Sequence, residues 1–267
     1  MGGINMTKKE LLEIIGDNEF VDLGLPSGTL WCSRNVGANS ATDFGDYFAW
    51  GEVETKRKFT WESYAFGDPL TKYNKKDGTT RLDTKDDASV VHLGCVMPTE
   101  EQCEELVNTC EYQWVDVDDV KGALFKGKPN KEGKVEALFI PATGYVFGGS
   151  VYNVGRYGYY WSSSICSGNP YCTHCLYFNS DDAGVYNGSR CYGQSVRGVK
   201  KDSFKDKDID YDFSNDELIS ILNEQKEYFG KLIDKCKEGK ERNIYEDLMQ
   251  SVLKSLDICN KIRSHKN

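Results

Sequence analysis

The spacing of apolar residues changes twice along the chain, and each change marks a region. The opening stretch MGGINMTKKELLEIIG reads as a short helix. Thr7 can cap it, Glu10 closes a capping box, and Gly16 can end it. From about residue 18 to 201 the chain becomes rich in Gly, Tyr, Trp and Ser, with short strand-like runs. FVDLGLPSGTLW holds two short strands around a Pro-Ser-Gly turn, and DYFAWGEV reads as a further aromatic strand. Thr99 and Gln102 form a capping box that opens a helix with Cys103, Leu106, Val107 and Cys110 as its buried stripe. EALFIPATGY is a strand, and Pro141 places it near a sheet edge or ends it. Short strands are expected again around CLYF and GQSVRGV.

The last region returns to helical spacing. Residues 202–213 are charged and lack an apolar period, so they read as a connector. Ser214 and Glu217 then form a capping box. Leu218, Ile221, Leu222, Phe229, Leu232, Ile233 and Cys236 follow at helical spacing. Gly239 breaks the run, and Asn243 can cap a second helix carrying Tyr245, Leu248, Met249, Val252, Leu256, Cys259 and Ile262. Two amphipathic helices with a short break predict an antiparallel hairpin over 214–267. Its apolar stripes either pack on themselves and the main domain or serve homo-oligomerisation or docking to a partner protein. The pattern therefore predicts an α+β fold with four parts: 1–17, 18–201, 202–213 and 214–267.

Composition narrows the function. The chain has 267 residues and a net charge of -9. That balance argues against a nucleic-acid partner, which needs a basic face. No apolar run approaches the ~18 residues of a membrane helix, so no membrane insertion is expected. Ten cysteines invite a disulfide-stapled, secreted reading. The N-terminus, however, lacks the basic start, apolar stretch and cleavage site of a signal peptide. A cytoplasmic location with mostly reduced thiols is the expectation.

Seven segments in this order carry a resemblance: VDLGLPSGTLW, NVGA, FGDYFAWGE, MPTEEQCEEL, LFIPATGY, YYWSSS and GQSVRGV. They resemble the bacterial and phage domains called FISUMP, which belong to the wider C-type-lectin-like fold. MPTEEQCEEL differs from the superfamily's helix in having Cys103 where Trp is usual. The superfamily also includes formylglycine-generating enzymes and the variable proteins of diversity-generating retroelements. The resemblance covers about residues 20–200. It implies few helices, short twisted strands, paired N- and C-terminal strands, and long loops displayed on one face. It also admits a virion-associated location.

The window 162–193, SSSICSGNPYCTHCLYFNSDDAGVYNGSRCYG, contains no Lys, Glu, Gln, Met or Trp. Every residue in it can be encoded by a triplet ending in a pyrimidine. That palette results when the two adenines of an Asn codon are replaced by any base, as adenine-mutating retroelements do. The resemblance and the palette together predict a diversified ligand-binding site. Its candidates are Ile165, Cys166, Ser167, Asn169, Tyr171, Cys172, His174, Cys175, Tyr177, Asn179, Asp181, Asp182, Tyr186, Asn187, Ser189, Cys191 and Tyr192. Strand alternation sends Leu176 and Phe178 inward and Tyr177 and Asn179 outward. Val185, Arg190, Ser195, Val196, Arg197 and Val199 match the family scaffold. Tyr with Ser, Asn and Gly is the chemistry of antibody-like paratopes.

Other chemistry has weaker support. Cys166, Cys172, His174, Cys175 and Cys191 fit no standard zinc spacing. A disulfide between two of them is an alternative. The resemblance also implies an alternative, since formylglycine-generating enzymes carry a reactive Cys pair in this part of the fold that Cys166 and Cys172 could imitate, but the surrounding catalytic sequence is absent. Asp43, Asp46, Glu52 and Glu54, and Asp116, Asp118 and Asp119, lack the spacing of a calcium loop. The expected protein is a binder without cofactor, metal or catalytic residues, with a structural or adhesive subunit assembled through the C-terminal hairpin as an alternative. Its partner is an unidentified protein or glycan.

Overall fold

The computed structural model describes residues 4–200, the helix Asn215–Lys235 and six further helical positions between 246 and 256. The connector 202–213 and most of the second predicted helix lie outside the described residues. The chain divides into two compact units, Met1–Lys205 and Asp206–Asn267.

In the first unit, β1 (Ile4–Met6) precedes α1 (Lys8–Ile15). Thr7 and Glu10 form the expected capping box, and the Gly16 N–H bonds back to the Leu12 carbonyl. β2 (Phe20–Asp22) and β3 (Leu30–Cys32) pair antiparallel. A long irregular stretch leads to α2 (Ala88–Leu93), which the sequence pattern did not announce, and to α3 (Glu100–Thr109). The Thr99–Gln102 capping box opens α3, with Cys103 and Leu106 buried. β4 (Glu111–Val117), β5 (Val120–Lys126) and β6 (Ala137–Pro141) follow as a meander. The four-stranded order is β1-β4-β5-β6, so β6 is an edge strand that ends at Pro141.

Alternation shows how this sheet is buried on both faces. Val115, Val117, Leu124, Ala137 and Phe139 pack with Leu11 and Ile15 of α1. Ala123, Phe125, Leu138 and Ile140 face the main core instead. β6 therefore reads as an unbroken apolar run because both of its faces are covered.

β7 (Tyr145–Phe147) and β8 (Ser150–Tyr152) form a hairpin closed by Gly148 and Gly149. β9 (Tyr157–Ile165), β10 (Cys172–Asn179) and β11 (Ala183–Ser189) form an antiparallel sheet with β10 central. Tyr160, Leu176 and Phe178 enter the main core beside Cys103 and Leu106 of α3. Gly158 permits this packing, since a Cβ there would stand 2.0 Å from the Phe178 ring.

The segment after β11 closes the unit. Val199 bridges both Trp31 and Val96, and the Lys200 N–H bonds to the Leu30 carbonyl. Two expected strands are absent as such. In DYFAWGEV, Phe48 makes a single bridge to Gln194, and the Trp50 N–H bonds to the Arg190 carbonyl. GQSVRGV likewise makes isolated bridges. Phe48, Trp50 and Val196 of these segments pack on Trp161 and Cys175, but their backbones pair only through single bridges, so neither forms a continuous ladder. The architecture is α+β, with few helices and several small sheets. No described helix is long and apolar enough to cross a membrane.

In the second unit, α4 (Asn215–Lys235) is a single helix. The described positions Val252 and Leu256 are helical and buried.

Candidate ligand-binding surface

The three-stranded sheet has two unlike faces. One lies on α3 and the main core. On the other, Trp161 and Cys175 are covered by Phe48, Trp50, Met97 and Val196. Beyond that cover, the same face carries Tyr157 and Tyr159 from β9, Tyr177 from β10 and Tyr186 from β11. The β7–β8 hairpin adds Tyr145, Phe147 and Tyr152, and Tyr192 follows from the loop after β11.

These eight rings form one connected network. Tyr177 lies 4.6 Å from Tyr186, 5.3 Å from Tyr159 and 5.8 Å from Tyr157. Tyr145 joins Tyr159 edge-on at 5.4 Å and stacks on Tyr152 and Tyr192. Phe147 completes it at 5.0 Å from Tyr192. Phe147, Tyr152 and Tyr186 are 43%, 44% and 50% exposed, so the network borders solvent. Adjoining Val151 and Val154 are exposed too. An aromatic and aliphatic patch of this kind is what interaction surfaces display.

Burial pushes the Tyr159 hydroxyl up to about 12, with Tyr177 and Tyr145 adding to the effect. Burial raises Tyr177 and Tyr192 as well. The Asn179 amide donates to the Tyr177 hydroxyl at 2.8 Å. Asn179 is itself held through its carbonyl, which accepts from the Tyr112 hydroxyl. The surface thus combines ring faces with uncharged donors and acceptors, and Asp181 and Asp182 are exposed at the β10–β11 turn beside it.

A second aromatic spot lies at the β9–β10 loop. Tyr171 meets Trp61 edge-on at 5.1 Å, and its hydroxyl donates to Asp68 at 3.2 Å. Arg190 secures this loop from below. Its Nε donates to the Cys172 carbonyl, its Nη1 donates to the Tyr73 carbonyl, and its plane lies 4.4 Å over Trp50. Trp61 and Tyr192 both pack on the buried cluster of Ala49, Phe59, Tyr64, Val146 and Cys191. That cluster connects the two aromatic regions.

The structure therefore sorts the predicted residues. Tyr177, Asn179, Tyr186 and Tyr192 join the aromatic network or its border. Ile165, Cys166, Ser167, Asn169, Tyr171 and Cys172 lie at the β9–β10 connection, where Ser167 and Asn169 are exposed and the others half-buried. Ser189 is half-buried at the end of β11.

His174 and Asn187 are register partners and share the opposite, α3-facing side. There the His174 Nδ1 sits 3.1 Å from a Glu100 carboxylate oxygen. They do not belong to the aromatic surface.

Cys175 and Cys191, 1% and 0% exposed, do not fit the expected site. Cys175 lies under Phe48 and Trp50 because this end of the sheet is covered on both faces. Cys191 lies beneath Tyr192, packed on Phe59 and Tyr64. Burial, with the neighbouring Cys166 adding to it, raises the Cys172 thiol, which is the reverse of what a reactive thiolate needs.

Tyr145, Phe147, Tyr152, Tyr157 and Tyr159 are the residues that sequence reasoning missed. The tyrosine density of GYVFGGSVYNVGRYGYY was their one signal. Two clefts, of about 410 and 540 Å³, lie elsewhere. The first is lined by Asp22, Leu25, Pro129 and Lys200, and the second by Thr7, Glu10, Asp116 and Asp118. Among the described residues, no three His, Cys, Asp or Glu side chains come together as a metal-ligand group. Compared with family models, with curated proteins and with solved structures, the chain matches none of them.

Proposed function

We propose that this chain is a ligand-recognition protein with a C-type-lectin-like domain, not an enzyme. Its tyrosine-rich face contacts a protein or glycan partner. Exposed positions within 162–192 are varied by a diversity-generating retroelement. The observation that carries the reading is the connected network of seven tyrosines and Phe147, partly open to solvent on a sheet whose other face is core. Tyrosine offers large contact area at low entropic cost, and its hydroxyl adds adaptable hydrogen bonds. Stacking on a sugar ring or burying an apolar side chain would use the same rings.

The scaffold supports the reading as well. The segments that resemble the family contribute Trp31, Trp50, Trp161, Arg197 and Val199, all fully buried. The single bridge between Trp31 of β3 and Val199 of the closing segment is in keeping with the meeting of the domain's two ends that this fold implies. For residues 214–267 we favour a helical hairpin as an assembly element. A Cβ on Gly230 of α4 would lie 3.8 Å from the Met249 side chain, as facing helices require.

Arrays of glycans and of purified bacterial surface proteins, probed with the full chain, test the binding claim. A discrete ligand is expected, with its signal lost in a Tyr177→Ala/Tyr186→Ala variant that keeps its far-UV spectrum. Binding that survives in this variant would place recognition elsewhere.

A further inference from the structure

Two cysteines outside the recognition surface are brought together by the fold. Cys32 ends β3, and Cys95 follows Gly94, whose left-handed backbone stops α2. They are 63 positions apart and only 3% and 2% exposed. The closing segment of the unit assembles them. The Cys32 N–H bonds to the Gly198 carbonyl, while Val96 and Val199 exchange backbone hydrogen bonds. Gly198 lies between the two side chains. A Cβ there would stand 2.8 Å from the Cys95 Cβ and 3.2 Å from the Cys32 Sγ. Any larger residue would therefore crowd the space where the sulfurs meet. The two Sγ atoms are 3.1 Å apart, with the Cys32 thiol donating to the Cys95 sulfur. A disulfide has an S–S distance of about 2.05 Å, so roughly 1 Å of approach separates this arrangement from a covalent bond.

We propose that Cys32 and Cys95 are a disulfide-forming pair, oxidised by a low-molecular-weight disulfide of the glutathione type. The Cys95 thiolate attacks one sulfur of the reagent and expels one glutathione thiolate. The Cys32 thiolate then attacks the Cys95 sulfur of the mixed disulfide and expels the second. The protein loses two electrons and two protons, and one glutathione disulfide becomes two glutathiones. Hydrogen bonding from Cys32 lowers the Cys95 thiol, which suits Cys95 to the first attack. Because both thiols are buried, the reagent reaches them while the chain folds or when the end of α2 opens locally.

The bond closes the stretch 33–94. Apart from isolated bridges and short helical turns, that stretch carries Trp50, Trp61, Tyr64 and Tyr73 without a β-sheet to order it. A cross-link across so long a loop restricts the unfolded chain most.

The test uses the full chain, reduced and then refolded with or without glutathione disulfide. The product is denatured in N-ethylmaleimide, digested and mapped by mass spectrometry. The expected product is a peptide pair joined through Cys32 and Cys95, two hydrogens lighter than its parts. The thermal midpoint should rise by several degrees, fall back with dithiothreitol, and show no rise in Cys95→Ala. Maleimide on both Cys32 and Cys95 after oxidation would overturn the proposal. So would either cysteine joined to a different one. The mapping on the unaltered chain stands whether or not the variant folds.

Discussion

Tyr177 and Tyr186 sit on adjacent strands with ring centroids 4.6 Å apart, although neither is the other's register partner. Tyr177 is paired with Gly184, and Tyr186 with Cys175. The Tyr186 ring can reach diagonally because Gly184 carries no side chain. A Cβ there would meet that ring at 3.1 Å. Tyr177 also contacts Tyr157 and Tyr159, whereas Tyr186 is half exposed. Tyr186→Ala should therefore cost about 0.5 kcal/mol of stability and Tyr177→Ala about 1.5–2 kcal/mol, each ring pair being worth ~0.5–1.5 kcal/mol. Urea denaturation with an unchanged slope checks this ordering. A larger loss for Tyr186 would make it a structural residue.

Gly158 and Phe178 form a pair in which one residue's size depends on the other's. With the Phe178 ring 2.0 Å from where a Cβ would be, Gly158→Ala should destabilise by about 3 kcal/mol, as overpacking does. Adding Phe178→Leu should return part of that loss. A double-mutant cycle of melting curves measures the coupling, and additive effects would show that the ring does not set the limit.

Asp87 makes stability depend on pH. Burial pushes its carboxyl up to about 6, against the pull of backbone N–H groups from Met97 and Ser89. In the unfolded chain it titrates at about 3.9. Between those values the folded state binds more proton than the unfolded state. This group's contribution is therefore fully present below about 3.9 and is lost as pH rises through about 6. The loss is on the order of 3 kcal/mol for a carboxyl this deeply buried. Urea midpoints measured from pH 4 to 7 should follow a flatter course in Asp87→Asn than in the unaltered chain. Parallel curves would contradict this assignment.

Arg190 fixes the β9–β10 loop by donating to the Cys172 carbonyl and stacking on Trp50. Lysine has neither the fork nor the plane. Arg190→Lys should speed amide exchange at residues 166–172 by tenfold or more and leave β4–β6 protected. Hydrogen–deuterium exchange reads both regions. Uniform loss of protection would mean that Arg190 supports the whole fold.

The helix starts were legible because capping is local chemistry. Thr7 with Glu10 and Thr99 with Gln102 close their boxes as the spacing predicts. Alternation also sent Leu176 and Phe178 into the core. It failed at Cys175, since period two tells which residues share a face and not whether that face is covered. The cover comes from Phe48 and Trp50, well over a hundred positions away in sequence. The same non-local packing hid the hairpin's share of the aromatic surface. Tyr145 and Tyr152 reach it only because the β7–β8 hairpin folds against β9. DYFAWGEV looked like a strand because its aromatics are buried, and burial without a ladder leaves the same apolar pattern.

The central claim is a constant scaffold bearing a varied recognition face, and the nucleotide sequence around the gene tests it most directly. A partial copy of the 162–193 coding region should lie near a reverse-transcriptase gene. Its mismatches to the gene should fall at adenines of the copy, in codons for exposed or half-exposed positions such as Asn169, Tyr171, Tyr177 and Tyr186. The codons for the buried Leu176 and Phe178 should be identical in both. Absence of such a copy, or mismatches spread through those core codons, would contradict the account.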